Sequence, residues 1–171
     1  NMKKCLKLAL FGLTIVLIIG FLVPESMRIP VKGASASDWN HSTFWFEPWG
    51  SSGVHKGIDI FGRKGTPVVA STGGIVLYAD TLAKGGKVVA ILGPKWRIHY
   101  YAHLQSQTVN VGDLVKINQQ IGTLGDTGNA AGKQPHVHYS ILSVIPLPWL
   151  MTLESQGWKK MFFLNPHERL I

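Results

Sequence analysis

The 171-residue sequence predicts an all-β domain behind an N-terminal apolar helix, on three observations. Several short runs are rich in Val, Ile and Tyr. Turn signals separate them at intervals of about 8–12 residues, the spacing of strands in a sandwich or barrel-like sheet. An uncharged apolar stretch near the N-terminus stands apart from everything after it.

The apolar stretch is Leu8 to Val23, behind the short basic segment "MKKCLK". It is shorter than the roughly 20 residues of a full span, and Cys5, Leu6 and a snorkelling Lys7 extend it enough to cross. Residues 1–23 are therefore a signal or a membrane anchor. An anchor is favoured, because the small-residue site Ala34-Ser35-Ala36 lies far from the apolar run. Lys3, Lys4 and Lys7 would then stay cytoplasmic and the domain would face outward, in the cell envelope, or be secreted if the segment is cleaved. Residues 24–44, with Pro24, Pro30, Gly33 and an Ala/Ser run, read as a linker.

Strands are expected at 66–71, 74–80, 87–93, 97–104 and 114–125. The signals Gly73-Gly74, Gly85-Gly86 and Gly112-Asp113 fall in the gaps. After Ile145 the segment "PLPWL" breaks the pattern, and a short helix around 149–156 is expected before a packed tail.

The formal charge of +8 is uneven, with Lys3, Lys4, Lys7, Arg28 and Lys32 against Glu25 alone in the first 32 residues. The mild excess on the rest suits an acidic polymer or a membrane surface. There is no dense basic run with interleaved aromatics, so nucleic acid is disfavoured. The single cysteine, Cys5, excludes a disulfide framework and a thiolate metal site in the exported part.

Two histidine patterns carry the chemistry. In "HVHYSI" the side chains of His136 and His138 share one face of a strand, with Val137, Tyr139 and Ile141 on the other. In "HKGIDI" His55 and Asp59 are about 13 Å apart on a straight strand, too far for one ion. The glycines disfavour a helix, so a bend at Gly57 should place His55 in a loop and Asp59 on the following strand. His55, Asp59 and one histidine of the pair then make a two-His, one-carboxylate site with room for water. Zinc leads over iron, because nothing in the sequence suggests an oxygen co-substrate. His103, at a strand end beside Tyr100 and Tyr101, is a further acid–base candidate with the histidine that is not a ligand. His41, His99 and His167 read as structural. Trp45, Phe46 and Trp49 suit either a groove wall or the core. Asn40 and His41 could fold back over the metal as a latch.

"HKGIDI", "GTPVVASTGGIV", "YYAHL", "VNVGDLVKINQQIGTLGDTG" and "PHVHYSI" occur in order over roughly residues 50–142. Together they resemble the lysostaphin-type, or LytM-domain, zinc metallopeptidases of family M23. The resemblance implies a small antiparallel β domain with a groove, over residues 45–171, and a peptidoglycan peptide as substrate. It implies that His55, Asp59 and His138 are the ligands of one zinc ion. His136 would be the general base, and His103 would hold the attacking water or stabilise the tetrahedral intermediate. Ser140 stands where a glutamate is common, and the loop before His103 is bulkier than the usual pattern. The Gly-rich segment 122–136 should wall the groove.

The implied function is a zinc metalloendopeptidase cutting a stem peptide or cross-bridge of peptidoglycan. A non-catalytic or latent LytM-type regulatory module is the alternative, disfavoured by the complete set His55, Asp59, His103, His136 and His138. A D-Ala-D-Ala-type zinc carboxypeptidase is the third reading.

Overall fold

A computed structural model describes residues 2–171. Helix α1 (Met2–Leu22) is followed by ten strands: β1 (Ile58–Phe61), β2 (Pro67–Val69), β3 (Gly74–Leu82), β4 (Gly86–Gly93), β5 (Arg97–Leu104), β6 (Ser106–Gln107), β7 (Leu114–Val115), β8 (Gln120–Thr123), β9 (His136–Ser143) and β10 (Phe163–Leu164). Helix α2 (His167–Leu170) closes the chain. The larger sheet has the order β1-β9-β5-β4-β3-β7, with β10 beside β1 on β9; the smaller is β2-β8-β6. Pairing within both sheets is antiparallel.

The core follows from period-two alternation. Ile58 and Ile60 of β1, Val89 and Ile91 of β4, Tyr101 of β5, and Val137, Tyr139 and Ile141 of β9 are buried together. Val68, Ile121 and Leu124 meet them from the smaller sheet and its flank. The opposite face of β1, β5 and β9 carries Asp59, Phe61, Tyr100, Ala102, His136, His138, Ser140 and Leu142, and forms a groove floor.

Two expected elements differ. The stretch 114–125 is not one strand, because Asn118 takes a left-handed backbone (φ 65°) and turns the chain from β7 in the large sheet to β8 in the small one. No α-helix forms at 149–156. Short 3-10 turns occupy Pro148–Leu150 and Gly157–Phe162, and between them the chain folds back through a Thr152 N–H bond to the Gly157 carbonyl (3.3 Å).

Residues 24–44, read above as a linker, lie along the domain as a strap. Val31 bridges Val68 and is buried, and Trp39 is 4% exposed, its indole N–H donating to His167 Nδ1 at 3.2 Å. Two apolar side chains in a Pro/Gly/Ser-rich segment are enough to anchor it. At its start, Arg97 donates to the Glu25 carboxylate, with His99 Nε2 3.4 Å from Oε1. Burial alone would raise the Glu25 pKa; the neighbouring His99 imidazole and the Arg97 charge outweigh it and hold the carboxyl below its ordinary value. The β4–β5 turn beside this cluster grips α1: Lys95 Nζ donates to the Phe21 carbonyl (2.9 Å), and Trp96 Nε1 donates to that of Leu17 (2.9 Å). Helix α1 itself, at mean hydropathy 2.5, is long and apolar enough to cross a membrane.

A strap that belongs to the core contributes to its stability. Trp39→Ala should lower unfolding stability by about 3–5 kcal/mol, the range for deleting a buried large aromatic. Denaturant unfolding of the full chain in detergent measures this; no change would mean the segment is a free tether.

Candidate metal centre and groove

Asp59 and His138 are directly opposed on β1 and β9, so the register that buries Ile58, Ile60, Val137 and Tyr139 also turns both polar side chains into the groove. His55 arrives from the loop ahead of β1. Its backbone is pinned on both sides, by the Trp45 N–H donating to its carbonyl and its own N–H donating to the Phe46 carbonyl. The Trp49 indole stacks flat on its ring, with centroids 4.0 Å apart at 19°. Gly57 permits the approach. A Cβ there would lie 2.4 Å from the Tyr139 carbonyl oxygen, 2.6 Å from Ser140 Oγ and 3.0 Å from His138 Cε1.

Three ligand-type atoms converge. Asp59 Oδ1 is 3.1 Å from His55 Nε2 and 2.8 Å from His138 Nδ1, and the two nitrogens are 3.0 Å apart. The outer nitrogens are engaged elsewhere. His55 Nδ1–H donates to the Thr43 carbonyl (3.1 Å), and His138 Nε2–H donates to Ser140 Oγ (2.9 Å). These partners leave a lone pair on each inner nitrogen. Two lone pairs and a carboxylate oxygen at such distances repel unless a cation or a proton sits among them, so His55, Asp59 and His138 could hold a metal ion. Ligand atoms 2.0–2.2 Å from one tetrahedral ion lie about 3.3–3.6 Å apart, which an outward relaxation of these three by about half an ångström reaches.

Protonation states agree with this geometry. Burial would raise the Asp59 pKa, but a proton held among the three atoms in place of a cation, donated from His138 or His55, outweighs it and holds the carboxyl far below the ordinary carboxylate range. The His138 imidazole is pushed down, chiefly by burial and further by the charges of His55 and His136, against the opposing pull of Asp59.

His136 and His103 flank the three. His136 Nδ1–H donates to the Gln134 carbonyl (2.8 Å), leaving Nε2 free at 3.9 Å from Asp59 Oδ2. The His103 ring centroid is 5.0 Å from that of His136 and 6.2 Å from that of His138. An extra residue of β5 against β4 between Tyr101 and Leu104, together with a left-handed backbone at His103 (φ 64°), re-aims this side chain out of the strand's alternation. Its N–H is fixed to the Gly85 carbonyl, and its Nδ1–H donates to the Thr127 carbonyl (2.9 Å). Burial, opposed by that bond and reinforced by the charges of His136 and His138, lowers the His103 pKa to about 4, so the ring is neutral at pH 7.

The cluster opens into a groove of about 640 Å³. Trp49 to Ser52 form one wall, and Asn129, Ala130, Lys133 and Gln134 of the Gly-rich segment form another. That second wall closes on the β3–β4 turn through Gly128, where a Cβ would meet the Gly86 nitrogen at 2.3 Å. The floor continues along β9 to Ser140 and Leu142, with Phe163 beyond.

The five residues picked from sequence, His55, Asp59, His103, His136 and His138, all line this groove. His55 lies in a loop and Asp59 on the next strand, as the bend at Gly57 requires. The aromatic trio divides: Trp45 is core, Phe46 is exposed, and Trp49 lines the groove behind His55. The latch is not formed. His41 stacks on His167 (centroids 4.2 Å apart) and bonds the Ala36 carbonyl, while Asn40 caps the turn at Ser42. The strap serves the centre differently, by offering the Thr43 carbonyl to His55. The carbonyls of Thr43, Thr127 and Gln134, and the Trp49 backing, had no signal in the sequence, since a backbone carbonyl has no motif.

The family model described as peptidase family M23 matches residues 53–145. Peptidoglycan DD-endopeptidase ShyC of Vibrio cholerae is 34% identical over 125 residues, which are 68% of this chain and 28% of that protein. The murein hydrolase activator NlpD of Salmonella dublin is 35% identical over 119 residues, 68% of this chain and 32% of that protein. The catalytic domain of lysostaphin from Staphylococcus simulans superposes with a TM-score of 0.56 at 29% identity, covering 71% of this chain and 84% of that one. The chain spans between 23% and 52% of the length of curated relatives it matches.

The close approach at Gly57 gives a direct test of the geometry. Gly57→Ala should push β9 away from the His55 loop and weaken zinc affinity about 10–100-fold, as disrupting groups around metal ligands does. Competition with a chromophoric chelator measures it; unchanged affinity would mean that the loop's approach does not set the cluster.

Proposed function

The chain belongs to peptidase family M23, and from that premise we propose that it is a zinc metalloendopeptidase acting on the peptides of bacterial peptidoglycan. One observation carries the reading: three acceptor atoms converge within 3.1 Å of one another while their outer nitrogens are tied to neighbouring groups. His55, Asp59 and His138 would hold the ion. Two neutral imidazoles and one carboxylate suit zinc and leave a position for water.

Zinc so bound supplies Lewis acidity, polarising a carbonyl and lowering the pKa of water toward 7. The chain does the rest. The lone pair of His136 Nε2 takes the proton of the attacking water and later returns it to the leaving amine. His103, neutral and with Nδ1–H committed to Thr127, accepts a hydrogen bond at Nε2 and so orients that water. This favours the water-holding role over oxyanion stabilisation, which needs a donor.

An endopeptidase is supported over a carboxypeptidase because the groove continues on both sides of the cluster, toward Lys133 and toward Leu142 and Phe163. An enzyme is supported over a regulatory module like the NlpD activators because ligands, flanking histidines and their hydrogen-bond partners are all present. Helix α1 supports a membrane anchor that presents the domain on the outer side of the membrane, where peptidoglycan lies.

His138→Ala should lose zinc and activity together; stoichiometric zinc in that variant would remove it from the ligand set. His136→Ala should keep zinc and lose about 10²–10⁴-fold in kcat. Metal analysis of each variant reads the zinc, digestion of purified peptidoglycan followed by mass spectrometry of the fragments reads the activity, and a chelator should stop cleavage until zinc is restored. Stoichiometric zinc with no cleavage would favour the regulatory module.

A further inference from the structure

The groove is asymmetric in charge. Lys56 from the loop ahead of β1, Lys84 from the β3–β4 turn and Lys133 from the loop ahead of β9 all line it. The one carboxylate among the lining residues is Asp59, already committed to the cluster. Elsewhere Lys64 pairs with Asp126 and Lys160 with Glu154, while Lys87, Lys95 and Lys159 donate to carbonyl or amide oxygens. Among the described residues no carboxylate pairs with Lys56, Lys84 or Lys133. Lys56 Nζ instead donates to the Ser52 carbonyl (3.1 Å) and lies 5.9 Å from the Trp45 ring centroid. Lys159 and Lys84 stand close enough for their charges to act on it.

Gathering like charges from separate loops around a concave site, with no counter-charge, is unfavourable for the free protein and becomes favourable when an anion enters. Three walls would each meet a different part of a bound chain. We propose that this groove selects a peptide bearing free carboxylates beside the scissile bond, an acidic stem, over an uncharged glycine bridge, with Lys56, Lys84 and Lys133 as the residues that set the preference. The proposal rests on the endopeptidase reading and extends it to the class of bond.

The test uses the zinc-loaded full chain in detergent and three peptides: a peptidoglycan stem with free carboxylates, the same stem with those carboxylates amidated, and a glycine-only peptide. Cleavage is followed as kcat/KM, and binding by fluorescence anisotropy at low and high salt. The free-carboxylate stem should be preferred over its amidated form by about tenfold, from three partly exposed charge pairs. The preference should shrink with salt. Combined Lys56→Gln, Lys84→Gln and Lys133→Gln should bring the ratio close to one, with zinc stoichiometry retained as evidence of folding. Equal handling of the charged and amidated stems, preference for the glycine peptide, or a ratio unmoved by the triple substitution would each overturn the proposal. If nothing is cleaved, the endopeptidase reading fails, and the binding ratio still decides the charge preference by the same criteria.

Discussion

The register of β9 against its two neighbours is the constraint on which the rest depends. Asp59 opposes His138 on one side and Ala102 opposes it on the other. A slip of one residue on β9 would send His136 and His138 into the core and Val137, Tyr139 and Ile141 into water. Burial of those three side chains is therefore what places the two histidines. The hydrophobic effect, which knows nothing of metals, fixes a centre whose atoms repel one another in the absence of a cation.

That repulsion explains the surroundings. A cluster of acceptors keeps its shape only if each ring is held from outside, and Thr43, Ser140, Gln134 and Thr127 do the holding. Ser140 fills a place where the resembling family commonly has a glutamate. A hydroxyl accepts the imidazole N–H without adding a negative charge, so His138 is oriented and Asp59 remains the one carboxylate of the cluster. His103 is held at the expense of an unfavourable backbone conformation, tolerated because its N–H and its ring are both bonded.

Much of this was legible in the sequence. Alternation in "HVHYSI" gave the face of each residue, and the glycine in "HKGIDI" gave the bend, because both are local effects of backbone geometry. The family motifs then assigned His138 and His136 different parts, which spacing alone left open. What escaped is non-local. The packing of the strap depends on where Val68 and His167 end up in space, and composition made residues 24–44 look free. The break at Asn118 was hidden inside an apolar run whose two ends belong to different sheets. The lysines of the groove are far apart in sequence and become a set only when three loops meet.

The junction between helix and sheet has a consequence for how far the groove can travel. Lys95 and Trp96 grip the last turns of α1, and Glu25 locks the next residues to Arg97 and His99. The domain is thus not a weight on a string. Helix and groove turn as one piece, so their separation is a fixed dimension, and the groove can travel only as far as the helix does.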